Sequence, residues 1–600
     1  GSEMCIRDSN NQSNPLLAPA FQNKRNDIEN LNAALYLKIT LPLGFSIQTT
    51  YSPRFEWTNY LFHKAAASPD SGSQNGRVER THTKDFYWQW DNMLKWNKTF
   101  GKHAFDFTFL ANWEKFQRWH DEMTNENFLP TDELGYGGIG FGTSPNVSSD
   151  DVYRTGDAFM GRLHYVYDQR YLITATVRRD GYSAFGLANP RATFPAIALG
   201  WVFSEEKFLH RPDWFEYGKL RLSWGKNGNR AVGTYAAFMQ LAPRKYIYVD
   251  PATGSLVTAN TFYASTMANP NLKWESTTSW NIGTDLTFLK GRLSANLDVY
   301  KKITTDLLVS RELPSLIGYS SVMSNIGEVQ NTGVELSLNS TNIRMDKLTW
   351  RTSFSLAYNK NKITHLYGIM EDVKDADGNV IGQREADDIK NKRFIGHDID
   401  EIWDYKVVGI WQEEEREEAA KYGQQPGDVH LLDKDMNYKY DNTDKEFQGT
   451  TMPRLRWSMR NDFTLFKNFN ISFNMYSYIG HKKTLGRFTN DNALLNVTNQ
   501  IKRDYWTPEN RNNEYPRLAN KKPAGVSYAI YKNASFLRFD NISIGYTFPK
   551  KLIEPLRIQN LNVNATMKNA GYISGWPGYD PENSDANTPR VIYFGINLTL

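Results

Sequence analysis

The chain has 600 residues, with 70 Lys and Arg against 66 Asp and Glu, and a single cysteine, Cys5. No run of 18 or more apolar residues occurs, so a transmembrane helix is excluded. A disulfide-stapled scaffold is excluded by the lone cysteine, and the near-balanced charge, without a basic run, argues against a nucleic-acid partner.

The mean hydropathy of −0.59 would suit a water-soluble protein. It equally suits a barrel, in which only alternate residues meet lipid. Aromatic residues make up 14% of the chain, enough for interfacial girdles or a stacking surface.

From the N-terminus, residues 1–14 carry no apolar core of a secretion signal. Gly1–Ser9 resembles translated sequencing-adaptor sequence, so 1–14 is set apart as a non-native or disordered leader, and 15–600 is taken as one β-rich unit. Strict alternation then begins. Phe86, Trp88, Trp90, Leu94 and Trp96 share one face, and Tyr87, Gln89, Asp91 and Lys95 the other. The same period of two recurs at 219–224, 293–299, 334–339, 348–356, 469–475 and 561–567. The last stretch, Ile592 to Leu600, alternates as well and ends the chain on a strand. Its Gly595, Leu598 and Leu600 resemble the insertion signal of outer-membrane barrels, with Leu600 where an aromatic is usual.

Roughly 16–18 strands of about nine to thirteen residues are expected, near the length that crosses a bilayer. Tight turns at 99–102, 168–170, 290–292 and 467–468 take turns with long polar stretches at 61–83, 119–150, 228–268, 412–450 and 484–526. In an up-and-down sheet that places every short turn at one end and every long loop at the other. The fold class expected is therefore all-β, an antiparallel transmembrane β-barrel with short periplasmic turns and long extracellular loops. A soluble β-rich glycan-binding or structural protein, and a passive porin, are the alternatives.

The segment Arg178-Arg179-Asp180-Gly181-Tyr182-Ser183-Ala184-Phe185-Gly186 resembles a motif of SusC/RagA-type TonB-dependent transporters. Thr193-Phe194-Pro195, Lys219–Gly225, Asn269–Glu275, Asn325–Glu335, Ser535–Tyr546 and Gly578–Glu582 follow in that family's order. The resemblance implies a barrel of about 22 strands, an N-terminal plug pulled by TonB, and a SusD-like surface lipoprotein as lid. It implies import of oligosaccharides, or peptides, across the outer membrane of Bacteroidota, after placement by the barrel-assembly machinery. The sequence presents no plug and no TonB box, so the expectation is a partial barrel that cannot insert stably alone, because an open seam exposes unpaired edges to lipid.

Two sets of candidate binding residues stand out. Asp433, Asp435, Asn437, Asp441 and Asp444 take positions 1, 3, 5, 9 and 12 of a calcium loop, but position 6 is Tyr438 where a glycine should turn the chain. A solvated acidic loop is the competing reading, and no other cofactor is expected. Loop aromatics Trp119, Tyr136, Phe141, Tyr246, Tyr248, Phe262, Tyr263, Trp403, Trp411 and Trp576 could stack on sugar rings, or serve loop packing, girdle anchoring or contact with the lid protein. The glycine-rich run 135–142 is expected as a flexible loop. No HExxH, GxSxG or linked triad appears, so an enzyme is not expected.

Overall fold

The computed structural model describes residues 20–68, 74–128, 132–313, 316, 319, 321–375, 377–489, 504–583 and 586–600. Cys5 and the leader 1–14 lie outside them. Nineteen strands form one antiparallel sheet. The short pieces Leu35–Thr40 and Asn146–Ser149 extend the lines of their neighbours, so the sheet has seventeen staves among the described residues.

In chain order the staves are β1 (Gln22–Asn32), β2 (Phe45–Lys64), β3 (Arg77–Phe100), β4 (His103–Glu126), β5 (Val152–Tyr167) and β6 (Tyr171–Tyr182). They continue as β7 (Arg191–Trp201), β8 (Phe215–Asn229), β9 (Glu275–Phe288), β10 (Leu293–Thr305), β11 (Glu328–Met345) and β12 (Leu348–His365). The series ends with β13 (Leu455–Leu465), β14 (Phe469–Ile479), β15 (Phe536–Thr547), β16 (Asn560–Ser574) and β17 (Val591–Thr599). Each stave pairs with the next in sequence, from β1–β2 to β16–β17, which is the simplest up-and-down order. Among the described residues no helix is long and apolar enough to cross a membrane.

The two faces of the sheet differ as the alternation requires. Leu199, Leu222, Ile282 and Val299 are register partners across β7–β10, Ile197 and Leu297 stand two residues along the same face, and all six are 39–57% exposed. No second sheet covers them. The opposite face carries Gln89, Asp91, Asn112, Glu114, Arg178 and Asp180 around a cavity of about 770 Å³. An apolar convex face and a polar concave face are the arrangement of a membrane barrel, and the reverse of a sandwich core.

Connections alternate in length along most of the ladder, an exception being 183–190, which is shorter than 202–214 at the other end. One end holds the turns at 101–102, 168–170, 289–292, 346–347 and 466–468, the other the excursions at 230–274, 366–454 and 480–535. Aromatic rings crowd the short-turn end of the outer face, with Trp96, Phe100 and Phe105 in one cluster and Trp214, Phe215 and Phe288 in another.

Two expectations are corrected. Several staves far exceed nine to thirteen residues: β3 and β4 have 24 each, and cross-strand pairs such as Arg77–Glu126 (2.9 Å) hold their distal ends together. The polar stretches 61–83 and 119–150 are therefore partly strand, because pairing continues beyond the length a bilayer needs. The described part of the glycine-rich run is ordered as 3-10 turns over Asp132–Phe141, with Gly135 supplying φ 52° and Asn125 donating to the carbonyls of Ile139 and Gly142.

The outer face yields a direct test. Leu297→Arg should cost about 2–4 kcal/mol in urea unfolding from phospholipid vesicles, whereas Asn339→Arg on the inner face should cost under about 0.5 kcal/mol. Equal costs would mean the faces are assigned wrongly.

Candidate functional site

The inner wall is a polar surface with most of its charges already paired. Arg221 on β8 bridges Asp285 on β9 and Asp298 on β10 at 3.0–3.1 Å, and Asn296 donates to Asp285 at 2.7 Å. Glu114 receives Arg230, whose guanidinium lies 5.0 Å from the ring centre of Tyr182, and the Tyr87 hydroxyl at 3.4 Å. Arg178 grips both oxygens of Asp180 at 2.9 Å. Pairing of this kind keeps charges tolerable in a confined space and leaves a wetted surface rather than a catalytic constellation.

Above the long-loop rim the two largest excursions fold into one body. Tyr405, Ile410, Val429 and Leu431 of the first pack with Leu485, Phe488, Trp506 and Tyr528 of the second, and Trp576 of the β16–β17 connection joins the same core. Polar clamps cross the seam. The fully buried Asp428 accepts from Arg517 Nε at 2.8 Å, from the Lys521 amide at 2.9 Å and from the Gln425 amide at 3.0 Å. The Val429 amide donates to Asn520 at 3.0 Å, and Trp506 Nε1 to Gln412 at 3.0 Å. Gly427 is required beside them: its φ is +87°, and a Cβ there would meet the Trp506 ring at 2.4 Å. A second clamp ties the body to the wall. Arg538 on β15 pairs with Asp580 at 2.5 Å and Glu582 at 2.6 Å, and Tyr476 on β14 donates to Glu582 at 2.6 Å.

The aromatic candidates fall into three groups. Trp403, Trp411 and Trp576 are buried. Trp411 stacks on His430 with centroids 3.5 Å apart and donates to Gln424, so these indoles are occupied by loop packing. Trp119 is on β4 rather than in a loop, on the outer face beside Lys84, pointing away from the passage. Tyr136 is half-buried, while Phe141, Tyr246, Tyr248, Phe262 and Tyr263 are exposed. The last four stand on a hairpin, Gln240–Val249 with Leu256–Thr266, that projects between β8 and β9. At the C-terminus, Gly595 faces Asn564 on β16, and Leu598 and Leu600 are exposed.

Of the five calcium-loop candidates, Asp433, Asp435 and Asp444 bring ligand oxygens within 4.8 Å of one another. Asp441 is not in that group, and the side-chain oxygen of Asn437 accepts from the Lys439 amide at 2.7 Å. Asp441 spends its carboxylate on the amide and hydroxyl of Thr443, which hold it below the usual carboxylate range. Asp433 accepts from the amides of Met436 and Tyr438, and the buried Asp444 from those of Lys434 and Asp441. The missing glycine does not prevent the turn, because Tyr438 itself takes φ 65°. That costs about 1–2 kcal/mol, offset by its contacts with Tyr422 and Lys421.

Sequence reasoning does not single out Asp428 or Arg517. Asp428 follows Pro426-Gly427, a turn signal that draws attention to it. Arg538 stands in one motif and Asp580 and Glu582 in another, but nothing in the sequence pairs them across 42 and 44 positions.

A family model described as TonB dependent receptor-like, beta-barrel, matches residues 6–570. TonB-dependent receptor P3 of Formosa agariphila is 28% identical over 562 residues, covering 92% of this chain and 53% of its own length. TonB-dependent receptor SusC of Bacteroides thetaiotaomicron is 32% identical over 467 residues, covering 74% of this chain and 43% of its own. The chain thus spans about half the length of these relatives. The solved RagAB peptide transporter superposes with a TM-score of 0.79 at 20% identity, over 97% of this chain and 63% of that one, a likeness of fold.

Two outcomes follow from the loop geometry. Asp428→Ala strands Arg517 and two amides and should cost about 3–5 kcal/mol locally, read as faster proteolysis within 504–535 while the sheet stays intact. Calorimetric titration with calcium should give a dissociation constant no tighter than about 10⁻³ M, since three carboxylates assemble while the oxygens of Asn437 and Asp441 accept from amides of their own loop. Micromolar binding would show that Asn437 and Asp441 swing in.

Proposed function

Because this chain belongs to the TonB-dependent receptor β-barrel family, we propose that it forms the strand wall of an outer-membrane importer of the SusC/RagA type. In this reading the apolar convex face meets hydrocarbon, the paired charges of the concave face line a wet passage, and the packed long loops form its outer mouth. The chemistry is capture and gated passage, with no bond broken.

One observation carries the reading. A continuous apolar face lies bare across successive staves while the facing side is polar and hollow. A soluble sandwich would bury that face against a second sheet. A passive porin has no need of loops as large and as internally locked as 366–454 and 480–535.

The proposed cargo is an oligosaccharide or a short peptide. The exposed Tyr246, Tyr248, Phe262 and Tyr263 suit either, since an aromatic face packs equally against a sugar ring and an apolar side chain. The proposed partners are a SusD-like surface lipoprotein over the mouth, and TonB acting through a plug region that the relatives' extra length would hold. The relatives suggest the partners; the aromatic hairpin is this chain's own contribution.

Fractionation with a gel readout tests the core of the proposal. Recovery in the outer-membrane fraction, with heat-modifiable mobility, is expected. A buffer-soluble monomer would overturn it in favour of a secreted β-rich protein.

A further inference from the structure

The short-turn end carries a feature that passage of cargo does not use. Four consecutive turns, between β9 and β10, β11 and β12, β13 and β14, and β15 and β16, lie side by side on one arc of the rim. Backbone hydrogen bonds join them: Thr341 N to Arg292 O at 2.7 Å, Phe466 N to Lys347 O at 2.9 Å, and Thr547 N to Asn468 O at 2.8 Å. The arc holds Lys290, Arg292, Arg344, Lys347, Lys467, Lys550, Lys551 and Arg557, all exposed.

These eight cations face two carboxylates within the same turns, Asp346 and Glu554. Glu216 on β8 also lies nearby, 3.9 Å from where a Cβ on Gly291 would stand. Arg292 spends its guanidinium on the carbonyls of Thr341 and Asn342. Among the described residues none of the eight forms an ion pair. Elsewhere on the same rim three cations are matched: Lys102 and Arg170 hold Asp168, and Arg211 holds Glu205.

A second observation comes from the apolar residues of the same turns. Leu289, Met345, Phe466, Leu552 and Leu556 are 52–68% exposed. A turn that met only water would gain nothing from a phenylalanine at its tip. Cations interleaved with protruding apolar side chains, directly beside the outer apolar face, are the composition that seats at a headgroup boundary: stems and rings dip toward acyl chains while the charges stay at phosphate level.

We propose that this arc binds the headgroups of anionic glycerophospholipids in the leaflet at the short-turn end. The proposal rests on the reading that the outer face is immersed in a bilayer. Charge complementarity selects the occupant: the arc is cationic, whereas the largest loop at the other end is rich in carboxylates, among them Glu413, Glu414, Glu415, Glu417 and Glu418. Bound lipid would fix the depth and tilt of β9–β16.

The test uses the full chain in detergent micelles, with retained lipid counted by intact-complex mass spectrometry against phosphatidylglycerol and phosphatidylcholine. The native chain should prefer phosphatidylglycerol, and glycerophosphoglycerol without acyl chains should not compete. At about fivefold per charge, the variant Lys290→Gln, Lys467→Gln, Lys550→Gln, Lys551→Gln should lose about 600-fold in that preference. All four are exposed turn residues, so the fold should survive. Replacing Lys245, Lys374, Lys406 and Lys439 at the opposite end should leave the preference intact. Equal retention of the two lipids by the native chain, or the same loss in both variants, would overturn the proposal. Heat-modifiable mobility in phosphatidylcholine alone reports separately on bilayer immersion, which needs only the apolar face.

Discussion

The backbone hydrogen-bond ladder is the constraint on which the rest of this molecule depends. In hydrocarbon an unpaired N–H or C=O costs several kcal/mol, so a spanning sheet must satisfy every one from its neighbours. The unbroken antiparallel pairing from β1 to β17 does this for the staves that lie between those two within the described residues. It also forces the period of two, since side chains on a paired strand have only two directions. Once one direction is apolar and bare, the other must carry everything polar the protein needs.

Curvature makes the two faces unequal in a second way. On the convex side neighbouring side chains splay apart, so aliphatic and aromatic residues remain exposed even where they touch across strands. On the concave side they converge, and charges that would repel one another alone are arranged as bridges, such as Arg221 between Asp285 and Asp298. A bridge of this kind contributes modestly to stability. Its larger effect here is to fill the wall with fixed dipoles while leaving the lumen wet.

The long-loop end follows a different logic. Loops of this length would be costly to order if each stood alone. They are ordered because they share a core. The first and second large excursions contribute residues to one apolar cluster, and Asp428 with Arg517 seals the seam in a place water does not reach. Arg538 and Asp580, exposed by only 2% and 1%, anchor the third connection beneath it. The mouth is thus a folded body resting on the wall. What that body leaves bare includes the hairpin bearing Tyr246, Tyr248, Phe262 and Tyr263, the surface proposed for recognition.

What the amino-acid order determined by itself is local and periodic. Alternation at 86–96, 293–299 and 561–567 specified strands and their faces, turn residues such as Gly101 and Gly291 marked the trimmed end, and the count of staves fell within the range that spacing allowed. Those features depend on neighbours one to four positions apart, where chemistry can be read directly. The site was less legible. Trp403, Trp411 and Trp576 look in sequence like Tyr246 and Tyr248, yet the former are buried and the latter are bare. The turn at Tyr438 forms without its glycine, supported by Tyr422 and Lys421, and Asp441 turns away from the other loop carboxylates. The buried indoles and the clamps rest on partners farther along the chain: Arg517 for Asp428, Arg538 for Asp580, the second long loop for the first. Only the tertiary structure could decide them, because burial belongs to the packed body and not to the residue.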